Sequence, residues 1–319
     1  MKKIILSIFI VVFSLFSISG CSDNIIKINS EDFNTVKYKT GLEINHYSGK
    51  NSQLDIPDTI NGKKVLKIGG FYEESSYKGA FKDCECKSIC IPASVTEIEN
   101  AAFSSAPMLE RIEVDKENKN YTSIDGLLYT KDKKILLCIP LNYGSKDFEI
   151  PKGTISAECL IYNGLENLTI PQSLKFIDIK YSFPAWYYSS DKVIDYQLKN
   201  IFVESGNRFF KSENGLLYSK NGKELLIYPE NNDMTDFTVP KSVVTIKKFY
   251  INTLINLKKL TVGNNVKNIE LEADYDYDLA DPPDPKYHNL TIIGNKNSEI
   301  YKWYKSLDEN DYLSFRQIK

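Results

Sequence analysis

The sequence predicts a mainly β solenoid of about nine turns, and three observations carry that prediction. The stretch Gly126–Pro140, "GLLYTKDKKILLCIP", returns 89 residues later as Gly215–Pro229, "GLLYSKNGKELLIYP". Extended in both directions, the comparison aligns 109–155 with 198–244 without a gap, and 19 of the 47 positions are identical. Self-similarity of this kind marks a fold built from repeated units, because an active site needs only one copy of its chemistry. Within that unit an apolar-x-apolar triplet, often followed by Pro, recurs as "LDIP", "ICIP", "IEV", "FEIP", "LTIP", "IFV", "FTVP", "LTVG" and "LTII". Its second apolar residue falls at Ile56, Ile91, Val114, Ile150, Ile170, Val203, Val239, Val262 and Ile292, in steps of 35, 23, 36, 20, 33, 36, 23 and 30 residues.

A basic step near 23 residues, lengthened by about 10–13 in several turns, fits this series. A period of about 20–29 residues with one short strand per turn belongs to a leucine-rich-repeat solenoid. In each triplet the outer residues point into the core and the middle one points out, as a strand's period of two requires. Pro donates no ladder hydrogen bond, so placed just after the triplet it ends the strand. A second apolar set crosses the other side of the turn: Val95, Ile98, Ala102 and Phe103 in one, Leu174 and Ile177 in another. One turn buries only a slab of side chains, so at least three must stack before any is stable.

The N-terminal segment reads as separate from the solenoid. Lys2 and Lys3 precede Ile4–Ile18, an apolar run of 15 residues broken only by serines. That suits the core of a signal peptide and falls short of the ~18 residues of a membrane span. The run ends in Ile18-Ser19-Gly20-Cys21, which resembles the lipobox of bacterial lipoproteins. The resemblance implies a signal peptide over 1–20 and lipid attachment at Cys21. More than one acyl chain would then tether the mature protein, facing outward, to the bacterial cell surface. A plain secretory signal with an incidental cysteine is the alternative. Residues 21–40 are polar and weakly patterned and read as a tether, with the solenoid expected over 41–297.

The repeated sentence itself lies in both 36-residue steps. Asn221-Gly222 between two apolar stretches predicts a β-hairpin, with Asp125-Gly126 and Asn214-Gly215 as the turns that lead into each copy. Each copy is expected to hang from the stack as an inserted hairpin. At the C-terminus, Ile300, Trp303, Tyr304 and Leu307 are spaced for a helix that Ser298 could cap, and "YLSFRQI" follows as a last strand. Residues 298–319 therefore read as a helix-strand cap shielding the open end of the solenoid.

The stretch "IPASVTEIENAAFSSAPMLERIEV" resembles the repeat of BspA-like leucine-rich-repeat proteins, and the hairpin sentence is similar to an insertion common in that family. The family's cysteine, three residues after its Ala-Phe phenylalanine, is matched by Cys84 after Phe81, although the strand then arrives one residue early. The resemblance runs from about Leu42 to the C-terminus. It is clear over 89–155 and 198–270 and degraded around 156–165, 178–197 and 271–287. It implies a surface-exposed protein that contacts other macromolecules; the identity of the partner varies within the family and does not carry over.

Chemistry is sparse. A net charge of -2 supplies no basic face, so no nucleic-acid partner is expected. Two histidines, His46 and His288, leave little material for metal or triad chemistry. No GxSxG, HExxH, phosphate-loop or dinucleotide pattern occurs, so neither an enzyme, a cofactor nor a metal is expected. Besides Cys21 there are five cysteines, an odd number. "CECKSIC" lacks a fourth ligand at a finger-like spacing. Core packing is the favoured role for these residues, with a bridge between two of them as the alternative.

The middle residues of the triplets, with those two before them, define a candidate binding face. The pairs are Gln53/Asp55, Ser88/Cys90, Arg111/Glu113, Asp147/Glu149, Asn167/Thr169, Asn200/Phe202, Asp236/Thr238, Lys259/Thr261 and Asn289/Thr291. Asp55, Arg111, Glu113, Asp147, Glu149, Asn167, Asn200, Phe202, Asp236 and Lys259 are its main candidates, with Phe202 as the apolar anchor. The bland alternative is that small polar residues simply solvate a sheet. Two more segments draw notice: the acidic "EADYDYDLADPPDP" at 272–285, which could offer oxygen ligands to calcium or be a solvated loop, and the aromatic "FPAWYYSS" at 183–190. The expected function is non-catalytic binding of an extracellular protein by a monomer anchored through Cys21. Carbohydrate binding and a passive spacer are the alternatives.

Overall fold

The computed structural model describes residues 30–73, 76–104, 106–158, 164–178, 197–247, 254, 256–271, 290–307 and 313–318. The leader and Cys21, the aromatic stretch 183–190, the acidic stretch 272–285, Cys159, His288 and Asn289 lie outside these residues. No helix among the described residues is long and apolar enough to cross a membrane.

The predicted triplets are strands, and they stack in parallel. Gln53–Asp55, Ser88–Ile91 and Arg111–Val114 form one three-stranded sheet; Asp147–Glu149, Asn167–Ile170 and Asn200–Val203 form a second. Asp236–Thr238, Lys259–Thr261, Leu290–Gly294 and Leu313–Gln317 form a third. The other side of each turn carries its own parallel ladder. Ile135–Cys138 pairs with Ser156–Glu158, which pairs with Phe176–Asp178; Glu224–Ile227 pairs with Thr245–Ile246, then Asn268–Ile269. This is the β solenoid the period predicts. Between the two sides the chain makes single turns closed from i to i+3, such as Ala102 N–H to Glu99 O and Ser104 N–H to Ala101 O.

The hairpins do not hang from this stack; they cross it. In the first copy Leu128 and Cys138 belong to the N-terminal core cluster, while Leu127, Tyr129 and Leu136 belong to the middle one. In the second copy Leu217 and Ile227 face the middle cluster, and Leu216, Tyr218 and Leu225 face the C-terminal one. Each hairpin is thus a layer with core on both faces. The signal was present in the three consecutive apolar residues of "LLY", since a hairpin with one face in water would alternate. The turns themselves form as expected. Asp125-Gly126 and Asn214-Gly215 all have positive φ, the two-residue geometry that suits a twisted hairpin. At the far turn Asn221 Oδ1 accepts from Lys223 N–H and from Ser219 Oγ–H; Asp132 does the same for Lys134 N–H and Thr130 Oγ1–H.

Neighbouring turns are also joined by buried asparagines. Asn118, fully buried, donates through Nδ2 to Pro92 O and Val95 O at 2.8 and 3.0 Å. Its Oδ1 accepts from the N–H groups of Asn120 and Tyr121. Asn207 repeats all four bonds, donating to Pro171 O and Leu174 O and accepting from Phe209 and Phe210. The 89-residue alignment matches these two residues, but a lone Asn gives no hint that its amide closes the turn before it.

Both ends are capped. Phe33–Tyr38 pairs antiparallel with Gly41–Tyr47, which lies parallel to Lys63–Ile68. Phe33 is buried, with its ring 4.9 Å from that of Tyr47. Ordered structure therefore includes 33–40, residues whose polar composition reads as a tether. At the other end the helix Glu299–Ser306 buries Ile300, and Trp303 Nε1 donates to Leu271 O. Leu313–Gln317 follows as the last strand of the third sheet. Ser298 occupies the position before the helix, but its hydroxyl donates to Asn295 O and caps no helical N–H. Cys84, Cys86 and Cys138 are buried free thiols within the core, as small packing residues should be. Cys90 differs in being disulfide-bonded.

Candidate functional site

The expected single face is divided into three panels. The two hairpin layers lie between Arg111–Val114 and Asp147–Glu149, and between Asn200–Val203 and Asp236–Thr238, so no ladder runs across either gap. The register gathers the candidate residues accordingly. The first panel holds Asp55 beside Cys90 and Glu113, and Gln53 beside Ser88 and Arg111. Its charges are engaged with one another: the Arg111 guanidinium pairs with Glu113, which also accepts from Ser123 Oγ–H. Burial raises the Asp55 carboxyl above the usual carboxylate range.

The middle panel gathers half of the candidates. Asn200 Nδ2 donates to Asn167 Oδ1 at 3.0 Å, and Asn167 Nδ2 donates to Asp147 Oδ1 at 2.7 Å. Asp147, Asn167 and Asn200 are register partners, so the bonds form one ladder across three turns. The parallel row is Glu149, Thr169 and Phe202. Phe202 is 50% exposed, and the exposed Glu149 carboxylate has no hydrogen bond or ion pair among the described residues. A rigid polar row thus lies beside a row presenting a carboxylate and a phenyl ring to solvent.

In the third panel Asp236 pairs with Lys259 at 2.7 Å, and the ammonium holds the Asp236 carboxyl below its ordinary range. The last turn corrects the sequence-based pairing. Lys259 faces Thr291 and Thr261 faces Ile293, so the outward pair on that strand is Thr291/Ile293 and not Asn289/Thr291. The two-residue slip arose because "LTII" offers apolar residues at both 290 and 292, and pattern alone cannot choose between them. Ile293 gives the face a second apolar residue besides Phe202. Ser314 and Arg316 of the last strand extend the same rows.

The model of the BspA type leucine rich repeat region matches 74–136 and 228–295, in six copies. Over those two segments the chain carries BspA-type leucine-rich repeats. The matched residues include strands from the first and third panels of this repeat protein, together with much of the first hairpin. No curated protein matches the sequence. Solved structures similar to this leucine-rich-repeat chain include a leucine-rich repeat protein from Eubacterium ventriosum, 16% identical, covering 81% of this chain and 68% of that one at a TM-score of 0.41. A leucine rich cell surface protein from Faecalibacterium prausnitzii is 17% identical, over 78% of this chain and 73% of that one, at 0.34. The pneumococcal vaccine antigen PcpA is 15% identical, over 90% of this chain and 97% of that one, at 0.34.

Proposed function

We propose that this repeat protein is a non-catalytic, lipid-anchored bacterial surface protein that binds a protein partner through the middle panel of its sheet face. The observation that carries the reading is the pairing of an ordered Asp147–Asn167–Asn200 ladder with the solvent-facing Phe202 and Glu149 beside it. An aromatic anchor held on a rigid polar platform has the composition of an interaction hot spot, and curved repeat sheets commonly serve as binding surfaces. The lipobox-like Ile18-Ser19-Gly20-Cys21 supports the surface location. In cells, Cys21→Ser is expected to abolish incorporation of labelled palmitate and release the chain from the membrane fraction; unchanged labelling would remove the anchor from the proposal.

The binding test uses the full chain against a panel of extracellular proteins, with Phe202→Ala and Glu149→Lys combined in one variant. Truncating an aromatic hot spot costs about 2 kcal/mol or more, a loss of about thirtyfold in affinity. Saturable protein binding lost in the variant is the expected result. Binding unchanged by the variant, or the absence of any protein ligand, overturns the middle panel as the site.

A further inference from the structure

The N-terminal cap contains a cleft of about 450 Å³ that the sheet-face reading does not use. It forms where the strand Gly41–Tyr47 carries a β-bulge: Asn34 is opposite His46 and Thr35 is opposite Ile44, so Asn45 is the extra residue. A bulge interrupts strand alternation and re-aims a side chain. Here Ile44 and Tyr47 both reach the core, while Asn45 and Tyr47 both contribute to the cleft.

Two polar atoms there are buried without a hydrogen bond of normal geometry among the described residues. Asn45 Oδ1 accepts no hydrogen bond, and the Tyr47 hydroxyl makes none of normal geometry, although the Asn51 backbone lies near it. Tyr47 is only 1% exposed, and its ring is held between Phe33 and Phe81. Burial pushes its phenol up to about 12, so the O–H is present as a donor at every ordinary pH. Gly49 makes room for this group, since a Cβ there would stand 2.3 Å from the hydroxyl oxygen. Leaving such groups unsatisfied costs about 1–3 kcal/mol each, and a built site recovers that when a ligand arrives.

The rest of the lining selects the ligand's chemistry. Lys50 and Lys82 are balanced by Asp83 and Glu85, so the cleft carries no net charge to attract an ion. Phe71, with His46 edge-on at 4.9 Å, supplies an apolar surface. A neutral molecule with a hydroxyl to donate to Asn45 Oδ1, a hydroxyl to accept from Tyr47, and a C–H face to lie on Phe71 satisfies all three features. We propose that the cleft beside the Asn45 bulge is a binding site for a sugar residue. It is separate from the middle panel and does not depend on the reading of that panel.

The test titrates the full chain by calorimetry with the methyl glycosides of N-acetylglucosamine, galactose and mannose at millimolar concentration. The same sugars displayed as terminal residues on a glycan array separate recognition of a free sugar from recognition of a chain end. Saturable binding of at least one sugar is expected, weakened about tenfold by Tyr47→Phe and by Asn45→Ala, each of which removes one hydrogen bond. The Phe202→Ala, Glu149→Lys variant should bind sugar as the parent does, which keeps this test distinct from that of the sheet face. Should Tyr47→Phe misfold, Asn45→Ala carries the same prediction. Absence of binding by all three sugars overturns the proposal, and so does binding that both cleft variants leave unchanged.

Discussion

Asn207→Leu is expected to destabilise the protein by about 3 kcal/mol or more, among the largest losses a single substitution should produce here. The leucine shares the branched skeleton of asparagine but makes none of its four hydrogen bonds. Leu174 O loses its side-chain donor, Pro171 O retains only the Leu174 N–H, and Phe209 and Phe210 N–H lose their acceptor, all within the layer where two turns meet. Asn118→Leu should cost a similar amount, because Asn118 makes the same four bonds one unit earlier. Among the described residues Asn265 bonds only through its Nδ2, toward Pro240 O and Val243 O, and it is partly exposed. Asn265→Leu should therefore cost about half as much. Urea and thermal melts of the three variants rank them directly. Equal losses at 207 and 265 would show that the asparagines act as turn formers and not as links between turns.

Glu230→Leu should do the reverse and stabilise the protein, by about 3 kcal/mol near pH 8. Both carboxylate oxygens of Glu230 are buried without a hydrogen-bond partner among the described residues, and burial raises its pKa from 4.5 to about 8. Below the lower value the carboxyl is protonated in folded and unfolded chains alike, so its burial carries no ionisation penalty. As pH rises, the unfolded chain gives up the proton while the folded one retains it, and stability falls until the folded group also ionises near 8. The gain from leucine should accordingly be small near pH 5 and largest at about pH 8. The repeat supplies a precedent, since the 89-residue alignment puts Leu141 at the equivalent place in the first unit. Melts of parent and variant across that range decide it; a difference that stays constant with pH would mean that Glu230 is already satisfied in the folded protein.

These two positions show how unevenly the sequence discloses its structure. Glu230 stands opposite Leu141 just after the shared sentence, in an alignment where most positions differ, so nothing in the sequence marks it as buried. Asn118 and Asn207 are conspicuous only by being identical, and identity does not say whether an amide faces solvent or the preceding turn. The candidate face was legible for most strands because alternation and Pro placement set which side points out. It failed at "LTII", where two apolar choices were equivalent, and at Cys90, where an outward position is buried and bridged. The cleft beside Asn45 was illegible, because a bulge leaves no mark in hydrophobic periodicity beyond a local loss of alternation.

The sequence by itself determined the architecture: a triplet every 23 residues or so, punctuated by Pro, can bury its apolar side only by stacking on copies of itself. It also determined where the hairpins begin and turn, since Asp-Gly and Asn-Gly permit the positive φ values that those turns require. The apolar run of each hairpin signals two buried faces, but which core each face enters was decided by the tertiary structure. Their alternate side chains enter different core clusters, and that assignment depends on which turns lie above and below. By crossing the stack they part the sheet face into three panels, and so determine which of the predicted surface residues can meet a partner together. Local preferences set each turn's shape; only contacts between turns, distant in sequence, set what each turn faces.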